Sequence, residues 1–196
     1  MYVTKKITSL AVSFCRAALF TFLGNNAAAT AAQTCSLDCS MEVFFIGTYT
    51  DETCNVVVNN SDNSSVVTLP RISASSLLKD GSEAGSVPFE VTLKDCPPDR
   101  TISVFFNDSL SASDDVTGNL LNSTGINYSN NVQVRIRKEN GSQVVIGDAS
   151  SGQKYVIPAS AEPVKHIFFA SYYARGNKAV TSGLVQAIAG VELNYK

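Results

Sequence analysis

The chain has 196 residues, with 15 basic and 17 acidic side chains, one histidine, no tryptophan and 44% hydrophobic residues. That length holds one ordinary domain. The small negative charge and the lack of any Lys/Arg run argue against a nucleic-acid partner, and a single histidine gives no basis for a Ser-His-Asp arrangement.

The first elements are a leader and a tail. Lys5 and Lys6 precede an apolar run from Ile7 to Leu23, broken by Arg16, and a small-residue tract from Ala27 to Ala32 follows. A positive start, an apolar middle and an Ala-x-Ala end describe a cleaved secretory signal over residues 1–31, cut after Ala31. Its loss removes three of the 15 basic residues and no acid, leaving a formal charge of −5. From Cys35 onward Leu37, Cys39, Met41, Val43 and Phe45 occupy alternate positions, the period that puts side chains on one face of a strand.

Short strand candidates follow between turn signals. They are Cys54–Val58, Ser65–Leu69 before Pro70, Phe89–Leu93 before Cys96 and Pro97-Pro98, and Ile102–Phe106. Val132–Ile136 is joined through Asn140-Gly141 to Gln143–Ile146 as a hairpin. Val164–Tyr173 is a long aromatic strand, and Ala74–Leu78 is the one helical candidate. The last fourteen residues, from Gly183, form a one-sided strand pattern with Val185, Ala187, Ala189, Val191, Leu193 and Tyr195 on a common face. About eight strands with regular turn signals predict an antiparallel β-sandwich in one domain.

Residues that could carry chemistry are sparse. Four cysteines remain after the signal, and sequence alone does not choose among their three pairings. Cys54 and Cys96, each beside an apolar strand pattern, are the natural cross-link, whereas Cys35 and Cys39 are too far apart to bridge in an extended segment. Their spacing lacks a second ligand pair for zinc, and His166 lies in an apolar run. Asp114-Asp115 reads as a solvated loop pair. No phosphate loop and no metal constellation is present in the sequence, so no cofactor, metal or enzymatic activity is expected.

Several segments together resemble the pilin subunits of chaperone–usher fimbriae, the type 1 and P-pilus-like proteins of Gram-negative bacteria. These are Phe45-Ile46-Gly47-Thr48 before Cys54, Val66-Val67-Thr68-Leu69 with Arg71-Ile72-Ser73, and Pro88-Phe89-Glu90-Val91-Thr92-Leu93-Lys94-Asp95-Cys96. Tyr172-Tyr173-Ala174 and Val180-Thr181-Ser182-Gly183 complete the set, with Gly183 fourteenth from the end and Tyr195 penultimate. Pro70 stands where the family usually has Gly.

The resemblance implies an immunoglobulin-like sandwich over residues 43–196 that lacks its last strand. Its groove would be bordered by the strand from Gly183 through Val185, Ala187, Ala189, Val191, Leu193 and Tyr195. The missing strand would come first from a periplasmic chaperone and then from the N-terminal extension of a neighbouring pilin, a form of strand addition to an open sheet edge. In this chain the extension is residues 32–42, with Cys35, Leu37, Cys39 and Met41 facing the groove. An outer-membrane usher is a further implied partner, and a host receptor is the partner under the alternative of a single-domain tip adhesin. Two departures stand out: the donor segment has no Gly between Gln33 and Val43, and it carries two cysteines.

Overall fold

The computed structural model describes residues 53–62 and 64–196. They form ten strands in two antiparallel sheets with two single-turn 3-10 helices. The strands are β1 (Asn55–Val58), β2 (Glu83–Lys94), β3 (Thr101–Asn107), β4 (Ser113–Asp114), β5 (Asn119–Leu121), β6 (Val132–Lys138), β7 (Gln143–Val144), β8 (Gln153–Val156), β9 (Val164–Ala174) and β10 (Gly190–Tyr195). The larger sheet runs β1-β2-β9-β6-β5-β4, with β7 paired to β6, and the smaller runs β10-β3-β8. The signal, the N-terminal extension and the first residues of the expected domain lie outside the described residues.

Alternation explains why these segments pair as they do. On β2, Phe89, Val91 and Leu93 turn inward, and on β6 Val132 and Ile136 do so. Apart from Val132, which joins a smaller cluster with Leu77 and Ala174, these residues meet Ile102, Val104 and Phe106 of β3 between the two sheets. Phe89, Phe106 and Phe168 form the aromatic centre, with centroids 5.3 to 5.9 Å apart. Each such ring removes enough apolar surface from water to stabilise the core by about 1.5–3 kcal/mol. Tyr155 of β8 is fully buried and donates its hydroxyl proton to the Val91 carbonyl at 2.9 Å, tying one sheet to the other. His166 packs edge-on against that ring at 4.6 Å, and burial holds its imidazole below the usual range.

Several expectations need correction. Ser65–Leu69 has the burial alternation of a strand, with Val67 and Leu69 against the core, yet residues 64–72 join no sheet among the described residues. The Gly183–Lys196 run is assigned as a strand only over β10, because its partner β3 ends at Asn107. Three strands, β4, β5 and β8, are additional. Asp114, expected in solvent, has a side chain only 12% exposed and accepts from Arg175 Nε at 2.6 Å. The Ala74–Leu78 candidate is a 3-10 turn over Ala74–Leu77, capped by the Ser73 hydroxyl.

Candidate functional site: the C-terminal edge

The C-terminal run treats its odd and even residues differently. Lys196 donates to the Thr101 carbonyl, and β10 pairs with β3 in the register Asn194↔Ser103 and Glu192↔Phe105. Antiparallel pairing alternates hydrogen-bonded and non-bonded pairs, so the even residues of β10 spend their backbone groups on β3. Before β10 the same parity continues. Leu184 donates to the Asn127 carbonyl and accepts from Ser129 N–H, and Gln186 N–H reaches Asn122 Oδ1. Gln186 O accepts from Ser123, and Ile188 N–H donates to Ser111 Oγ.

The odd residues Val185, Ala187, Ala189, Val191, Leu193 and Tyr195 therefore aim N–H and C=O away from β3. Among the described residues these groups have no backbone partner. All of these residues except Tyr195 turn their side chains inward. Ala187, Ala189, Val191 and Leu193 lie half-buried against the main core, and Val185 lies against the smaller cluster of Leu77, Val132 and Ala174. Residues 64–72 border the same two clusters, through Val67 and Leu69 on one and Ile72 on the other. Two extended stretches thus each bury alternate side chains, and each has an unpaired backbone side among the described residues.

Both ends of the run are anchored. At the start, Gly183 has φ +157°, and a Cβ there would come within 2.5 Å of Ser129 N and 2.7 Å of Tyr128 C. Only a residue without a side chain allows that approach. At the end, Tyr195, 37% exposed, accepts a hydrogen bond at its hydroxyl from Cys54 N–H at 2.8 Å. Cys54 is bonded to Cys96, 42 positions along the chain.

The structure ties Tyr195, at the far end of the Gly183–Tyr195 row, to Cys54 and through it to Cys96. Cys35, Leu37, Cys39 and Met41 lie outside the described residues. Sequence reasoning missed Asn122, Ser111 and Ser129, the side chains and backbone that hold the even residues where β3 has ended. The signal that could have found them is their place in polar loops rich in Asn and Ser, residue types that cap backbone groups. No group of three or more His, Cys, Asp or Glu side chains is placed to hold a metal among the described residues.

Comparison with known proteins agrees with this architecture. The family described as "Fimbrial protein" matches residues 38–196, and the chain belongs to it. The serotype 2 fimbrial subunit of Bordetella pertussis is 31% identical over 130 residues, 57% of this chain and 62% of that protein. The minor fimbrial subunit HifD of Haemophilus influenzae is 28% identical over 155 residues, 74% of this chain and 68% of that protein. The matched stretch thus spans under two thirds of the serotype 2 subunit. Among solved structures, a chain of a chaperone–usher pilus has a TM-score of 0.55 at 18% identity, covering 81% of this chain and 97% of that one. The P pilus rod subunit PapA has a TM-score of 0.54 at 15% identity, covering 72% of this chain and 99% of that one. These likenesses give the chain the pilin fold, an incomplete immunoglobulin-like sandwich.

Proposed function

We propose that the protein is a structural subunit of a chaperone–usher fimbria, polymerised non-covalently by strand exchange and exposed on the bacterial surface. The observation that carries this reading is the odd-numbered C-terminal row, whose residues present unpaired backbone and inward apolar side chains together. A strand laid along Val185–Tyr195 satisfies both at once. The chaperone supplies that strand in the periplasm, the usher hosts the replacement, and residues 32–42 of a neighbouring subunit replace it, with Cys35, Leu37, Cys39 and Met41 as anchors. Burial of Leu37 and Met41 contributes about 1.5–3 kcal/mol each. The role is structural, and adhesion follows from the assembled fibre.

A synthetic peptide of residues 33–45, added to the purified full chain, should raise its Tm strongly. A scrambled peptide should not. No stabilisation by this peptide or by the extension of any co-assembling subunit defeats the proposal.

A further inference from the structure

At the end of the large sheet, beside the loop contacts that hold the start of the C-terminal row, lies a pocket of about 530 Å³. It is formed where β4 ends, where the chain enters β6 and where it leaves β9. Its lining includes Asp114, Asn130, Asn131, Gln133, Arg175 and Lys178. The volume falls within the range of small-ligand sites.

The orientation of Gln133 on its floor is fixed by a chain of hydrogen bonds. Arg135 Nε can only donate, so the Asn119 atom 2.9 Å from it is Oδ1. Asn119 Nδ2 then donates to Gln133 Oε1 at 2.8 Å, and Thr117 Oγ1 lies 2.7 Å from the same oxygen. The Gln133 amide nitrogen is thereby turned the other way. The residue is only 2% exposed, and its Nε2 has no partner among the described residues. Because no fully buried side-chain polar atom there lacks a partner, this N–H2 opens onto the pocket. A nearly buried amide with two unspent donors favours an acceptor that the protein itself does not supply.

The surrounding groups offer more donors than acceptors, although Asp80, which accepts from Gly176 N–H, adds a second negative charge near Arg175 beside that of Asp114. Arg175 spends Nε on Asp114, which leaves its two terminal nitrogens without a partner among the described residues, and the exposed Lys178 adds a second cation. Asp114 does not offset this as an acceptor for a ligand. Its Oδ1 takes the N–H groups of Val116 and Thr117, and its Oδ2 takes Arg175. On the rim, Asn131 Nδ2 donates to the Ala179 carbonyl and Asn130 Nδ2 approaches Thr181 Oγ1. Their carbonyl oxygens are left to accept from hydroxyl groups. Cationic and amide donors within, with amide acceptors at the rim, match a ring that carries both an acidic group and hydroxyls.

We propose that this pocket binds an anionic saccharide unit. The carboxylate or sulfate group meets Gln133 Nε2, Arg175 and Lys178, and the ring hydroxyls donate to Asn130 and Asn131. The pocket's rim shares Asn122, Ser123 and Ser129 with the contacts that hold Leu184 and Gln186, but its floor and its cations lie outside the Val185–Tyr195 row, so the binding reading does not rest on strand exchange.

The test is titration of the full chain, followed calorimetrically, with methyl β-glucuronide, galactose 6-sulfate and neutral methyl β-glucoside. The acidic sugars should bind at least about tenfold more tightly than the neutral one. Lys178→Glu, a change at an exposed side chain, should weaken them by about tenfold or more, and Gln133→Glu, which keeps the shape but places an acceptor on the floor, by more. The Tm of each variant shows whether the fold is kept. Equal binding of acidic and neutral sugars, indifference to both substitutions, or no binding at about 10 mM overturns the proposal. Acetate binding as tightly as the uronide also overturns it, because the site is then one for a bare carboxylate. Stabilisation by the 33–45 peptide is read in a separate experiment, so either idea can fail alone.

Discussion

At the residue scale, charged side chains of the large sheet are tied into one polar chain across its outer face. Glu83 accepts from Arg135 Nη1 at 2.8 Å and from Arg137 Nε at 3.0 Å. Burial pushes its carboxyl up, but the two guanidinium groups hold it below the usual carboxylate range. Arg135 also lies 3.9 Å over the Tyr173 ring and passes the chain to Asn119. From Asn119 it continues through Gln133 Oε1 to the Thr117 hydroxyl, and the Thr117 backbone N–H donates to Asp114 Oδ1. Burial would raise the Asp114 carboxyl, yet Arg175 and the Thr117 donors hold it at about 2. An unfolded aspartate titrates near ~3.9. The folded value is lower, so this pair's stabilisation is complete above the unfolded value and is lost as pH falls toward 2. Asp114→Asn should therefore lower Tm at neutral pH and flatten the decline of Tm between about pH 5 and pH 2. An acid limb as steep as that of the unaltered chain would show that other carboxylates control it.

At the element scale, alternation reported burial faithfully and pairing poorly. The run from Val185 to Leu193 was legible as a one-sided surface, and its odd residues do face the core. What the sequence did not show is that the run changes its support halfway, from Asn122 and Ser111 side chains to β3. Residues 64–72 behave alike, since Val67 and Leu69 pack inward without a sheet partner among the described residues. β4 and β5 were missed because they are two and three residues long. β8 was missed because Tyr155 is its only fully buried side chain in a polar setting. β2, β3, β6 and β9 were readable because three or more apolar residues repeat along each. The junction at Gly183 yields a sharp prediction. Gly183→Ala must displace the backbone of Tyr128 and Ser129, and should cost about 1–3 kcal/mol. Ser182→Ala, at an exposed neighbour, should stay within about 0.5 kcal/mol. Denaturant midpoints for the pair check this, and equal midpoints would mean the junction relaxes freely.

At the scale of the whole molecule, the Cys54–Cys96 bond and the Tyr195 hydroxyl join the first described strand to the last. The bond closes a loop of 42 residues, for which the chain-entropy model gives about 4 kcal/mol. A double Cys54→Ala, Cys96→Ala variant should lose stability of that order, read as a lower urea midpoint. A loss under about 1 kcal/mol would show that the reduced chain already holds the two ends together. The family and fold were legible from motifs spread along the chain, because each motif within the described residues sits at a turn, a cysteine or a core position. The pocket at Gln133 was not legible, because it depends on which way one amide points.

The coincidence of parity along the C-terminal row has a consequence for handling the protein. Among the described residues Ala189, Val191 and Leu193 carry their greasy side chains and their thirsty amides together, so one act of zippering quenches both. Any extended polypeptide with alternating apolar positions is a tolerable zipper, including a damaged copy of this one. The loss of free monomer should thus run as a bimolecular process, faster in concentrated stocks than in dilute ones, and should respond to capping the row rather than to cooling.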